Sequence, residues 1–125
     1  MNDKLKLLIV DDDVFLLDMY SVKFKEAGFQ VEVAENGETA IKKLKEISPN
    51  VILLDVVMPK MDGLETLRQI KKDKLAEGAK IIVLTNLGQK EDVERGLKLG
   101  ADDYIIKAHF TPTEVLNKVK TLLNG

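Results

Sequence analysis

The chain is expected to fold as an α/β protein, a doubly wound (βα)5 three-layer sandwich built on a parallel five-stranded sheet. Three observations predict this. Five short apolar runs rich in Val and Ile recur along the 125 residues, each too brief for a helix. Between them lie longer segments with apolar residues at three- and four-residue spacing, the period of an amphipathic helix. Strands separated by helices are parallel and joined by right-handed crossovers, and strands apolar on both sides need a helical layer on each face.

The first strand, roughly 5 to 10, contains Leu7-Leu8-Ile9-Val10, and Asp13 is placed to cap a helix over about 14 to 27 that Gly28 should stop. A second strand over roughly 30 to 34 leads to a helix over about 37 to 47, where Ala40, Ile41, Leu44 and Ile47 share a face. The third strand, roughly 51 to 55, is Val51-Ile52-Leu53-Leu54-Asp55, and its helix, about 63 to 74, is announced by the capping-box spacing of Asp62 and Glu65. Pro59 and Gly63 should shape that loop and helix start, with Met58 and Met61 filling gaps near the sheet end. Ile81-Ile82-Val83-Leu84-Thr85 forms a fourth strand, roughly 81 to 85, followed by a helix over about 89 to 99 that Gly100 should end. The fifth strand, roughly 103 to 107, ends Tyr104-Ile105-Ile106-Lys107. Thr111 with Glu114 forms a second capping box, and Pro112 suits the first position of a helix over about 112 to 123.

Residues 1-125 are expected to form a single domain, large enough for a real core, and 45% hydrophobic content fits a globular class. Nineteen basic and twenty-one acidic residues leave a formal net charge of -2 without long blocks, so no nucleic-acid partner is expected. The absence of cysteine excludes disulfide frameworks, thiolate metal sites and thiol nucleophiles. No apolar run approaches the ~20 residues of a membrane span, and the first residues lack a signal-peptide pattern, so a cytoplasmic location is expected.

Charged residues fall at equivalent places in three of the five strands. Asp11 and Asp12 end the first, Asp55 ends the third and Lys107 ends the fifth, while Thr85 adds a hydroxyl at the end of the fourth. In an open doubly wound sheet, ligands bind outside the carboxyl ends of the strands where the strand order reverses; for the order 2-1-3-4-5 that point lies between the first and third. Carboxylates crowded there need a cation between them or must take up protons, and a hard divalent metal is the natural occupant. Each residue alone has a plainer reading: Thr85 as a strand-end hydroxyl, Lys107 as a solvated lysine, Tyr104 as a half-buried strand aromatic. His109, without histidine or cysteine companions, reads as a surface residue.

Four segments, in order and spacing, resemble a response-regulator receiver domain of two-component signalling, of the stand-alone chemotaxis-receiver-like type. They are Leu8-Ile9-Val10-Asp11-Asp12-Asp13, Val51 to Gly63 with Asp55 and Pro59, Val83-Leu84-Thr85, and Gly100 to Lys107. The resemblance implies a flavodoxin-like fold and a phosphorylation-dependent signalling switch, not a turnover enzyme. It implies that Asp55 accepts a phosphoryl group from a sensor histidine kinase or phosphotransfer protein. Mg2+ would be held by Asp11, Asp12, Asp55 and the Val57 carbonyl, with Asp11 acting largely through water. Thr85 and Lys107 would contact the phosphoryl group. Thr85 and Tyr104 match the family's two switch positions, and output would pass to a downstream protein target through the face of helix 4, strand 5 and helix 5. A phosphorylation-dependent homodimer is compatible with that face, and with no output domain in these residues the effect must pass to a separate partner or to the remainder of a longer regulator.

Two positions depart from the pattern. The family has proline after the lysine, often through a cis peptide bond, where this chain has Ala108, and a small residue after the threonine, where it has Asn86. A trans loop of different shape or a strained one would follow from Ala108, while Asn86 would either narrow access or hydrogen-bond the phosphoryl group. Val57 and Leu87 flank the path of an attacking water and are apolar, which predicts slow hydrolysis of the phosphorylated form. A haloacid-dehalogenase-type phosphotransferase would want a second aspartate where Val57 stands. A flavin module on this fold would want a phosphate-cradling first loop that is absent. The remaining alternative is a degenerate receiver acting only as a protein-interaction module.

Overall fold

A computed structural model describes residues 5–58 and 62–124; the roles read for Pro59 and Met61 lie outside these residues. The elements run β1 (Lys6–Val10), α1 (Val14–Glu26), β2 (Gln30–Ala34), α2 (Gly37–Leu44), β3 (Val51–Leu54), α3 (Gly63–Lys72), β4 (Lys80–Thr85), α4 (Lys90–Lys98), β5 (Asp103–Ile106) and α5 (Pro112–Asn124). A 3-10 turn, Lys107–His109, joins β5 to α5. All strand pairings are parallel, in the order β2-β1-β3-β4-β5. The doubly wound architecture is as the alternation of elements predicts, and the strand order is that of the flavodoxin-like fold the resemblance implies.

Alternation within the strands builds two cores. Leu7, Ile9, Leu53, Leu84 and Ile105 pack with Leu17, Phe24, Val115 and Val119 of α1 and α5. Leu8, Val10, Leu54, Ile81 and Val83 pack with Ala40 and Leu44 of α2 and Leu67 and Ile70 of α3. Successive side chains of a strand point to opposite faces, so a run apolar at every position can only be satisfied by helices on both sides.

The capping signals are realised. Asp13 Oδ1 accepts from the amides of Phe15 and Leu16, and Asp62 Oδ1 accepts from Glu65 N at 2.9 Å. The second capping box closes reciprocally, with Thr111 N donating to Glu114 Oε1 at 2.8 Å and Glu114 N to Thr111 Oγ1 at 3.1 Å. Helix ends differ from expectation by a few residues. α2 stops at Leu44 and not at 47, in tight turns where Lys45 N and Glu46 N bond the carbonyls of Lys42 and Lys43, ahead of Pro49. α3 stops at Lys72 because Lys74 adopts a left-handed backbone, φ 53°. β5 stops at Ile106 because Lys107 already belongs to the 3-10 turn. α1 is less amphipathic than its spacing suggests, since Val14, Phe15, Met19 and Val22 remain exposed.

Candidate phosphoacceptor site

Strand register brings the singled-out residues together. Val10 pairs with Leu54, so Asp11 and Asp55 emerge at one level from adjacent strands. Thr85 pairs with Ile106, so Lys107 emerges one residue beyond Thr85 at the neighbouring edge. Main-chain bonds prolong the ladder past the strands and fix both aspartates: Asp55 N donates to Val10 O at 2.9 Å and Asp11 N to Ala34 O at 3.0 Å. An open cleft of about 480 Å³ results, lined by Asp11, Asp12, Asp55, Thr85, Asn86 and Lys107 among others. Val57 and Leu87 line it as well, Val57 largely exposed and Leu87 half-buried.

Lys107 bridges the two buried carboxylates. Its Nζ donates to Asp11 Oδ2 at 2.5 Å and to Asp55 Oδ2 at 3.1 Å. The second joins the lysine to the acid read as the phosphoacceptor, and the shorter one, to Asp11, is not legible in the sequence. Each carboxylate turns its other oxygen to a local amide, Asp11 Oδ1 to Asp13 N at 2.9 Å and Asp55 Oδ1 to Val57 N at 3.2 Å. Burial pushes the Asp11 pKa up, against the lowering effect of the Lys107 bond. Burial also works to lower the Lys107 pKa, but the Asp11 bond and the Asp55 charge outweigh it, and the net direction is upward. The ammonium is thus held charged between two acids, the arrangement that keeps buried like charges from expelling each other.

Asp12 is exposed at the mouth. Oxygens of Asp11, Asp12 and Asp55 all lie within 4.8 Å of one another. Three hard anionic oxygen donors at this separation fit Mg2+, a small ion that takes one or two carboxylates directly and keeps several waters.

On the β4 side, Thr85 is buried and its Oγ1 accepts from Leu87 N at 3.3 Å. The same Leu87 accepts, through its carbonyl, the Tyr104 hydroxyl at 2.5 Å. Leu87 therefore links the two residues read as a switch pair. Tyr104 is half-buried, with its ring against α4 at Gly96, where a Cβ would stand 3.0 Å from the ring carbons. The Lys107–Ala108 peptide is trans, as are all the described peptides, and Ala108 N donates to Asn86 Oδ1 at 2.9 Å. His109 is exposed on the turn.

The sequence profile described as the response regulator receiver domain matches residues 7–120. The chain is 39% identical over 118 residues to the alkaline phosphatase synthesis transcriptional regulatory protein PhoP of Bacillus subtilis, covering 94% of this chain and 48% of that protein. It is 42% identical over 118 residues to the CpxR homolog of Haemophilus influenzae, covering 94% of this chain and 50% of that protein. The chain thus spans about half the length of the curated relatives it matches. Among solved structures it resembles a CheY-like receiver domain protein from Methanospirillum hungatei, with TM-score 0.89 and 34% identity, covering 98% of this chain and 95% of that one. Vibrio cholerae chemotaxis protein CheY4 superposes with TM-score 0.88 at 29% identity, covering 95% of this chain and 98% of that one. By sequence, fold and relatives together, this chain belongs to the response regulator receiver domains of two-component systems.

Proposed function

We propose that the chain is a cytoplasmic switch that accepts a phosphoryl group on Asp55 from a sensor histidine kinase or phosphotransfer protein and signals through altered binding to a downstream protein. The observation that carries this reading is Lys107 held between Asp11 and Asp55, at 2.5 and 3.1 Å, in a cleft that Asp12 and Thr85 complete. Asp55 is flanked by Asp11, Lys107 and the Val57 amide, and a carboxylate oxygen there would take the phosphoryl group as the phosphohistidine P–N bond breaks. Asp11, Asp12 and Asp55, with the Val57 carbonyl, would hold Mg2+, whose charge lowers the repulsion between carboxylate and phosphoryl oxygens. Lys107 can move its donor bond from Asp55 to a phosphoryl oxygen without leaving Asp11, so the ammonium serves both states.

The switch would run through Leu87. A phosphoryl group on Asp55 gives the Thr85 hydroxyl a stronger acceptor than a neutral contact, and drawing Thr85 toward it disturbs the Leu87 amide bond and, through the same residue, the Tyr104 bond. The face of α4, β5 and α5 is the surface so altered, and a phosphorylation-dependent homodimer through it is compatible with this reading. Val57 and Leu87 leave an attacking water without a polar guide, which favours slow loss of the phosphoryl group and no turnover catalysis.

The test is intact-mass analysis after acetyl phosphate treatment with and without Mg2+, for wild type and Asp55→Ala. A gain of one phosphate that needs the metal and is absent from the variant is expected. If wild type gains none even from a cognate kinase, the chain is a degenerate receiver acting only as an interaction module.

A further inference from the structure

Asn86 and Ala108, the two positions at which the chain departs from the receiver pattern, meet each other. Asn86 follows Thr85, and the β4–β5 register puts it level with Lys107. Its Oδ1 accepts the Ala108 amide hydrogen at 2.9 Å, joining loops separated by 22 residues of chain. Both departures are needed for this bond. A small apolar residue at 86 would offer no acceptor, and proline at 108 would have no hydrogen to donate. The backbone also disfavours proline there, because Lys107 opens the 3-10 turn and a residue before proline is pushed out of helical conformations. That turn is three residues long, and apart from the Lys107 side chain, which is largely out of solvent, packing does little to hold it.

We propose that Asn86 is a positioning residue for Lys107: its carboxamide clasps the Ala108 amide and so fixes the turn from which the ammonium reaches Asp11 and Asp55. The inference rests on reading the cleft as a phosphoacceptor site, and it gives Asn86 a definite part there, as a strut between two loops. It carries a consequence that ordinary destabilisation does not. Lys107 and a divalent cation draw on the same carboxylates. Loosening the clasp therefore leaves Asp11 and Asp55 freer to take the cation but less able to receive an anionic phosphoryl group.

The experiment compares the full chain with Asn86→Ala and with Asn86→Asp, which keeps an acceptor for Ala108. In Asn86→Ala, amide exchange at Ala108 should accelerate about 10-fold, the loss of one exposed hydrogen bond, while Asn86→Asp keeps the slow exchange. Mg2+ should bind Asn86→Ala about 2–3-fold more tightly, while acetyl phosphate labelling of Asp55 at saturating Mg2+ slows about 3–10-fold. Unchanged Ala108 exchange in Asn86→Ala overturns the clasp. Cation binding that weakens in step with the labelling rate overturns the positioning role in favour of general damage. Exchange and Mg2+ binding are read on unphosphorylated protein, so a wild type that takes no phosphate defeats the phosphoacceptor reading and leaves these two measurements to decide the clasp.

Discussion

α3 and α4 follow neighbouring strands of the sheet and have similar lengths, 10 and 9 residues, yet they are attached to it very differently. α3 buries Gly63, Thr66, Leu67 and Ile70, is capped by Asp62, and ties back through Gly63 N to Val56 O at 3.2 Å. α4 buries Gly96 alone, and Gln89 gives it no side-chain cap. The helix beside Asp55 is thus part of the scaffold, and the helix beyond Thr85 rests lightly on Tyr104. Local stability follows the number of buried apolar contacts, so the cleft joins a firmly packed half on the Asp55 side to a lightly packed half on the Thr85 side.

The largest effect on this contrast is expected from Gly63→Ala. A Cβ there would collide with the Asp55 carbonyl oxygen and Val56 Cα, both main-chain atoms that cannot swing away. The variant should lose about 3 kcal/mol or more of stability, as measured by urea unfolding, and its Asp55 should no longer be phosphorylated. A variant that labels at the wild-type rate would show that α3 does not hold the acceptor loop. Next in size is a matched pair. Leu67→Ala, at a fully buried position of α3, should cost about 2–5 kcal/mol, whereas Leu97→Ala, at a 46% exposed position of α4, should cost less than about 0.5 kcal/mol. Equal costs would erase the distinction between the helices.

The smallest effect is a titration. Burial raises the pKa of both tyrosines above the ordinary 10.0, with the charges of Asp92 and Asp55 adding to it at Tyr104. A folded value above the unfolded one means that the neutral phenol is favoured by folding. Its contribution is complete below pH 10 and is lost as pH rises through the folded value. Absorbance titration of Tyr20→Phe and Tyr104→Phe, each of which leaves a single tyrosine, should place both ionisations above 10. An ionisation at or below 10 for Tyr104 would mean that α4 and the Leu87 bond cover its phenol less than the packing suggests.

The strands, the caps at Asp13, Asp62 and Thr111 and, given the strand order of the family the chain resembles, the convergence of Asp11, Asp55, Thr85 and Lys107 were legible in the sequence, whereas the Glu65 carboxylate closes no capping box with Asp62 and turns to Arg68. Periodicity fixes the strand faces, side-chain oxygens three residues from a helix start fix the caps, and the parallel order fixes which strand ends are neighbours. Features that depend on tertiary distances were not legible. Nothing in the spacing says that Lys107 leans more closely on Asp11 than on Asp55, or that Asn86 reaches across to Ala108. Likewise α4 has helical spacing as clear as that of α3, and only the packing reveals that Gly96 is its one buried residue. The early end of α3 depends on Lys74 entering the left-handed region, for which a lysine gives no warning.

The ammonium between Asp11 and Asp55 makes the cleft sensitive to the valence of the surrounding ions more than to their concentration. Screening by dissolved salt acts over a length of about 8 Å at physiological ionic strength and through water, while this triad is bonded at 2.5 and 3.1 Å with its side chains out of solvent. Sodium or potassium chloride should therefore leave it intact, whereas a doubly charged ion arriving past Asp12 can offer the two acids more than the lysine does. The unphosphorylated cleft should thus keep its lysine bridge across a wide range of monovalent salt and release it to a divalent ion.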